Sequence, residues 1–470
     1  MVIKYNDLLS KSLNTEHRVT DGKESSLCYQ YRLSASDQHG FQTLSSEAPA
    51  GVRPCSLGAH SCEIQQGEES RDLVWRHVTF CRKKLEDFTS MESEDWMLES
   101  IRQYWDLHDF ELQEATRVVD WTGDTGLCIA GFTGVRRHEI LQLLFPQKLL
   151  EQQNQGLCPE RDLKVQYGGF SQHPVYSLRH VPGRNVPSFR LLATTSPSPS
   201  HVQIWQIGAE DKDVIQPTTS IPSTPSQETW TKIAVSGTAS PCVVHGSQVN
   251  GVNVTEIETA GLLYTLGVSS SEAIRSLSFL DSSTVHLCCL NGRQIIADIR
   301  QPGITSEGNV SPSMSGDRRW VATVPTNAHI TSAKIASVSN EGHISITDTR
   351  DMGAPLKCGK VKSSNSPTPE DLMCICWAPR LEDCISISGL DGTVQIYNTE
   401  PWNAVMKEVD ALFIHRGLSA MGQCEDGSIP RVTVHSWHPW KERMLVSAAN
   451  DGSLQIWDWL DGPCGADNDN

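Results

Sequence analysis

The chain has 470 residues and carries 39 Lys and Arg against 56 Asp and Glu, a formal charge of −17 at pH 7. A surface this acidic repels phosphate backbones, which proteins hold mainly by neutralising phosphates with basic side chains, so general nucleic-acid binding is not expected. No apolar run reaches the ~18 to 20 residues of a membrane-spanning helix. The first residues, MVIKYNDLLSKSL, also lack the apolar centre of a secretory signal, so a protein of the cytosol or nucleus is expected.

Residues 1–90 hold 11 basic and 12 acidic residues, many Ser, Gln and Gly, and no sustained hydrophobic period, and are read as a disordered or spurious extension ahead of Met91. Residues 91–113 follow as a helix and a strand. Ser93 is the expected N-cap, and Trp96, Met97, Ile101, Tyr104 and Trp105 fall near one helical face. That face either packs over the rim of the following domain or docks a partner. LHDFEL, at 107–112, is expected to be a strand.

From residue 126 a unit recurs. It reads GLCIAGFTGVRRHEILQL at 126–143, RLLATTSPSPSHVQIWQI at 190–207, CVVHGSQVNGVNVTEIET at 242–259 and TVHLCCLNGRQIIADIR at 284–300. It continues as KIASVSNEGHISITDTR at 334–350, CISISGLDGTVQIYNT at 384–399 and MLVSAANDGSLQIWDW at 444–459. The equivalent apolar residues are Ile140, Ile204, Val254, Ile296, Ile346, Ile396 and Ile456, separated by 64, 50, 42, 50, 50 and 60 positions. Strand, turn, strand at such a period is the mark of a β-propeller blade, which buries its two faces only against neighbouring blades. The fold class is therefore all-β: a propeller of about seven four-stranded blades over residues 114–460, with a flexible tail at 461–470. The degraded copies leave six or eight blades open. LHDFEL then supplies the outer strand of the last blade, closing the ring and covering a sheet edge.

Motifs for chemistry are missing. There is no phosphate-binding glycine loop, nucleophile elbow or H-E-x-x-H, and no enzyme, cofactor or metal is expected. Asp391 and Asp451 stand in Asp-Gly turns, a structural role. Cys128, Cys242, Cys288, Cys289, Cys374, Cys376 and Cys384 lie in apolar strands, as reduced cysteines acting as small hydrophobes do. His435 and His438 are three apart on an expected strand and so face opposite ways. Arg136, Arg137 and His138 are read as a solvated turn. A ligand-binding propeller would need polar residues converging on its central channel. Residues 208–229, 301–318 and 361–370 read as Ser/Thr/Pro/Gly loops, and Ser196, Ser198, Thr224, Ser311, Ser366 and Thr368 each precede proline as candidate phosphorylation sites.

These repeats resemble the WD-repeat propeller family. The resemblance implies a hydrogen-bonded chain of histidine, hydroxyl, aspartate and tryptophan, matched here by His415, Ser447, Asp451 and Trp457 in the last blade. The tryptophan position is Trp205 and Tyr397 in two other blades but Leu141, Thr255, Ala297 and Thr347 elsewhere. EDWMLESIRQYWDLHDFEL, GLCPERDLKVQYGGF and WAPRLEDCISISGLDGTVQIY are similar to a vertebrate branch of the family, over about residues 91–461. That likeness implies a non-enzymatic scaffold with protein partners: the endonuclease subunits of the Integrator complex, their assembly factors and microtubule-associated proteins. It also implies cytoplasm, spindle poles and cleavage furrow as locations. A different resemblance, to substrate receptors of cullin-RING ubiquitin ligases, rests on Asp298-Ile299-Arg300 and Asp348-Thr349-Arg350, with Arg300 and Arg350 as adaptor contacts, although the aromatic residue before each is missing.

Overall fold

In the computed structural model the described residues are Tyr29–Gln30, His77–Thr79 and most of 103–460, without 132–137, 146–162, 183–189, 209–212, 237–239, 310–317, 326–333, 363–369, 417–429 and scattered shorter gaps. Seven separate sheets make up the fold. The repeat residues stand on the third strands: His138–Leu144, His201–Ile207, Asn253–Glu256, Arg293–Asp298, His343–Asp348, Val394–Asn398 and Ser453–Trp459. Every one of the seven repeat residues is buried. The count of seven blades is thus settled.

The innermost strands are Thr116–Trp121, Ser177–Val181, Lys232–Ser236, Ile274–Phe279, Trp320–Thr323, Cys374–Trp377 and Val432–Trp437. Each contacts the next around the axis, and the seventh contacts the first, so the ring is closed. The core lies between blades. Leu127, Ile129, Leu141 and Leu143 of the first blade interlock with Phe110, Val446, Leu454 and Ile456 of the seventh. Each such side chain contributes about 1.5–3 kcal/mol when fully buried. Because both faces of a blade meet a neighbour, its strands need not alternate apolar with polar residues.

The seventh blade is completed by Tyr104–Glu111, which pairs antiparallel with Ser453–Trp459, placing Leu107 opposite Trp457 and Phe110 opposite Leu454. His77–Thr79 and then Tyr29–Gln30 extend this sheet outward. The expected closing strand is therefore present but begins three residues early. Tyr104 and Trp105, expected on a helix, are strand residues: Tyr104 is buried and Trp105 exposed. The cause is pairing with Trp459 and Asp458 across a bulge, which fixes alternating faces where helical spacing would have put both on one side. Past this strand the chain bonds the neighbouring Asp-Gly turn through Leu112 N–H to Gly452 O at 2.8 Å. Gly452 has φ +93°, and a Cβ there would lie 2.6 Å from the Leu112 carbonyl, so this turn needs glycine.

Two expected loops hold strands. Ile215–Pro222 is the fourth strand of the second blade, inside 208–229, and Ser306–Asn309 the fourth of the fourth blade, inside 301–318. An outermost strand has one edge and much of its surface in solvent, so IQPTTSIP keeps only Ile215 and Ile221 buried and reads as a loop. Glu408–Val409, from the long connection in the sixth blade, pairs parallel with Lys357–Val361 and covers the edge of the fifth. Trp96, Ile101, Arg136, Arg137, Ser311, Ser366, Thr368 and the 461–470 tail lie outside the described residues, as does the rest of 1–90. Among the described residues no helix is long and apolar enough to cross a membrane.

Candidate functional site

Two polar constellations are built into the ring. The first closes the seventh blade. Trp457 Nε1 donates to Ser447 Oγ at 2.9 Å, and Ser447 Oγ lies 3.3 Å from His415 Nε2. The imidazole stacks on the Trp457 indole at 4.2 Å between centroids and 10° between planes. Asp451 does not join this chain: it is exposed and accepts Ser453 N–H at 3.0 Å within its own turn. Tyr104 takes the other ring nitrogen instead, its hydroxyl 2.7 Å from His415 Nδ1. Full burial pushes the His415 pKa down to about 3, so the ring stays neutral and carries the single proton that two such partners require.

Other blades keep fragments of this pattern. In the second, Trp205 Nε1 donates to Thr194 Oγ1 at 2.8 Å. In the sixth, the Tyr397 hydroxyl donates to Gln395 Oε1 and Gln395 Nε2 to Asp391 Oδ2 at 2.6 Å, so Asp391 enters a polar chain where Asp451 does not. Between the sixth and seventh blades, His435 spans Ser386 Oγ (Nε2, 2.8 Å) and Ser388 Oγ (Nδ1, 2.8 Å), and Trp437 Nε1 donates to Ser386 Oγ at 2.7 Å.

His435 also groups with Cys374 and Cys376, their ligand atoms all within 4.8 Å. Strand alternation puts both thiols on one face, with the sulfurs 3.6 Å apart. The group supplies three donors where a structural zinc site uses four, and both imidazole nitrogens are already held by hydroxyls. Its chemistry is better described as a hydrogen-bonded seam between blades. Ser196, one of the Ser-Pro residues, is buried and donates to Pro174 O at 2.7 Å, which removes it from the surface a kinase reads.

The second constellation stands at the channel. Arg117 is the second residue of the first inner strand, Lys232 begins the third and Arg275 is second in the fourth. Tyr176, Trp230 and Asp371 lie one to three residues before the second, third and sixth. All are at the starts of inner strands, so ring closure brings residues of five blades to one mouth of the channel. The Arg117 guanidinium carbon sits 3.7 Å from the Tyr176 ring centroid and 5.3 Å from that of Trp230. Lys232 Nζ lies 2.9 Å from the Trp230 centroid and the Arg275 guanidinium carbon 5.6 Å from it. Trp230 is fixed edge-on to Tyr176 at 5.1 Å and donates its Nε1–H to Ser177 Oγ at 3.1 Å.

Three cations thus surround one indole. The carboxylate close to them is Asp371, 3.5 Å from Arg117 Nη2. Arg117 is 8% exposed and Lys232 5%, and Lys232 Nζ has no hydrogen-bond partner among the described residues. Burial first, then the Arg275 charge, drives the Lys232 pKa well below the usual lysine range, while Asp371 opposes them. Burial likewise lowers Arg275, against Asp371. A cation–π contact returns about 0.5–2 kcal/mol, less than the several kcal/mol that it costs to desolvate an ammonium. None of these residues was singled out in the sequence, although a cation at the start of an otherwise apolar inner strand recurs in TRVVDW, KIAVS and IRSLSF.

Arg300 and Arg350 stand two residues past the ends of equivalent third strands of adjacent blades, with the same geometry. Arg300 Nη2 and Nε bond Asp298 Oδ2 at 2.6 Å and Oδ1 at 2.9 Å, and Arg350 bonds Asp348 at 2.6 and 3.0 Å. They are 72% and 69% exposed. The Arg300 guanidinium lowers the Asp298 pKa to about 2, so that carboxylate is charged at any physiological pH.

Seven four-stranded blades, a ring closed by a strand from the amino-terminal side, and a Trp–Ser–His chain in the closing blade define a WD-repeat β-propeller. No family model matches the chain. Three proteins, each named Integrator complex assembly factor WDR73, match it over 98% of their own length. That of Xenopus laevis is 52% identical over 367 residues, 78% of this chain. That of Danio rerio is 41% identical over 379 residues, 80% of this chain. That of Homo sapiens is 39% identical over 376 residues, 78% of this chain. The chain belongs to the WDR73 family.

Proposed function

We propose that this protein is a non-enzymatic scaffold that assists assembly of the Integrator complex. The observation that carries this is identity of 39–52% with proteins named as Integrator assembly factors, spanning 98% of each. A rigid ring of seven blades suits the task, since it presents loops of several blades on one surface and performs no chemistry itself. In the finer form of this reading, the propeller holds the RNA-cleaving endonuclease pair in the cytoplasm before nuclear import. Immunoprecipitation of the full chain from cytosol is expected to recover Integrator endonuclease subunits; a precipitate without any Integrator subunit overturns it. An association with microtubules, spindle poles and the cleavage furrow rests on family resemblance alone. Imaging of the tagged full chain through mitosis checks it, and a uniform cytoplasmic signal would remove it.

A second reading, substrate receptor of a cullin-RING ligase, is favoured by the twin Asp-x-Arg brackets on adjacent blades, each with its arginine exposed. Copurification of the ligase adaptor that is lost on Arg300→Ala or Arg350→Ala supports this reading; absence of the adaptor from the wild-type precipitate dismisses it.

A further inference from the structure

We propose that Cys374 and Cys376 form a dithiol that hydroperoxides oxidise reversibly to a disulfide, with Cys374 as the attacking sulfur and Cys376 as the resolving one. Both stand on the innermost strand of the sixth blade, on one face of it, with their sulfurs 3.6 Å apart. Of the eight cysteines among the described residues six are buried, and the two that are only half-buried are this pair. Cysteines that respond to oxidants are reached by solvent, have a second thiol beside them and ionise readily. Exposure and spacing supply the first two conditions.

The third follows from what faces each sulfur. Cys376 Sγ lies 4.0 Å from the His435 carbonyl oxygen, an acceptor that favours the thiol over the thiolate. Hydrogen bonding from Cys376 first, with the Arg179 charge after it, holds the Cys374 pKa below the usual thiol range against burial, and the same bond pushes that of Cys376 well above it. The first proton to leave therefore leaves Cys374. Its thiolate attacks the peroxide O–O bond, which takes up two electrons and departs as water or an alcohol once protonated, and Cys374 becomes a sulfenic acid. Cys376 then attacks that sulfur; the S–S bond forms, and the sulfenic hydroxyl leaves with the Cys376 proton as water.

The alternative is that both are small hydrophobes. Cys128, Cys242, Cys288, Cys289 and Cys358 fit that role, since burial pushes each of those thiols up and keeps it inert. Cys288 and Cys289, although adjacent, face opposite sides of their strand and make no dithiol. Two residues apart on a strand, the Cα atoms of Cys374 and Cys376 are about 6.6 Å from each other, towards the upper end of what a disulfide spans. A bridge there is strained and readily reduced, as a reversible modification requires. The site is independent of the assembly reading, since oxidation is read on the isolated chain.

The test uses the purified full chain, reduced and then treated with hydrogen peroxide. Remaining thiols are blocked with N-ethylmaleimide under denaturing conditions, and each cysteine is followed by peptide mass spectrometry. The peptide holding Cys374 and Cys376 is expected to lose two hydrogens, take up no maleimide and recover both thiols with dithiothreitol, while Cys288 and Cys289 in the same sample stay reduced. Cys376→Ser should leave a Cys374 sulfenic acid that dimedone traps. Cys374→Ser should slow oxidation of Cys376 at least about tenfold, since burial keeps that thiol protonated. The wild-type measurement needs no variant, so misfolding of either serine chain leaves it intact. A pair that oxidises no faster than Cys288 and Cys289, a wild-type sulfenic acid at Cys374 that stays unresolved, or undiminished oxidation of Cys376 in Cys374→Ser overturns the proposal.

Discussion

The closing blade and the channel mouth are both buried polar clusters of the same ring, and they treat hydrogen bonding in opposite ways. In the closing blade the Tyr104 hydroxyl, both His415 nitrogens, Ser447 Oγ and Trp457 Nε1 all have partners. At the mouth, Lys232 Nζ has none among the described residues, and like charges crowd it. A satisfied network rigidifies and specifies a packing, while an unsatisfied buried polar group costs stability. The contrast separates residues that hold the ring from a cluster that costs it stability.

The largest effect that sharpens this contrast comes from acid. Burial lowers the pKa of His415 to about 3 and those of His180, His245, His286 and His435 to about 4, from 6.5 unfolded. Between those values the unfolded chain binds more protons than the folded one, so stability is full above pH 6.5 and is lost as pH falls towards 4. At pH 5 each of the most deeply buried rings forfeits on the order of 2 kcal/mol. Asp458, raised to about 6 by burial, and Asp120 and Glu114, also raised first by burial, work in the opposite direction, three groups against these five histidines. Thermal unfolding followed from pH 7.5 to 5 is expected to show a steep fall in midpoint; a flat profile would mean that these histidines are not buried as described.

Trp457→Ala comes next. Its indole is fully buried, stacks on His415, and meets Tyr104 and Phe413 at 6.2 and 5.6 Å. Removing it opens a cavity and leaves Ser447 and His415 with fewer partners, about 3–5 kcal/mol. Chemical denaturation should place the midpoint far below wild type, with partner binding lost only as folding is lost. Selective loss of a partner at unchanged stability would instead place Trp457 in a binding surface.

The contrast also explains what was legible in the sequence. Third strands stand out in the sequence because Ile140, Ile204, Val254, Ile296, Ile346, Ile396 and Ile456 are all buried between blades, and a requirement that strict leaves a period. Outer strands such as Ile215–Pro222 look like loops in the sequence because two buried residues suffice there. In the His–Ser–Asp–Trp pattern, Ser447 and Trp457 pair on neighbouring strands, while Asp451 stays in its turn and Tyr104, more than three hundred residues away, takes its place at His415. No local pattern announces a partner that arrives only on ring closure. The channel mouth escaped for the same reason: Arg117, Lys232 and Arg275 are one cation per strand until seven strands are set side by side.

Tyr104→Phe probes that long-range substitution with a smaller change. It keeps the ring, which lies 5.2 Å from Phe413, and deletes the hydroxyl bonded to His415 Nδ1. A buried nitrogen left without a partner costs about 1–3 kcal/mol. The expected result is a lower unfolding midpoint, with His415 still neutral and its Nδ1 resonance shifted by loss of the hydroxyl. An unchanged midpoint would return the histidine's orientation to the Trp457 stack alone.

Arg300→Ala marks the lower end of the scale. Its guanidinium stands in solvent, and its partner Asp298 is the carboxylate two residues earlier, so the pair joins no distant elements. The fold of the third strand rests on Ile295, Ile296 and Ala297, all buried. Exposed ion pairs of this kind contribute little and fade with salt. The unfolding midpoint of Arg300→Ala, and that of Arg350→Ala, should therefore match wild type, which makes any loss of a copurifying partner attributable to the surface itself. A clear drop in midpoint would show that the two brackets belong with the closing blade, as parts that hold the ring.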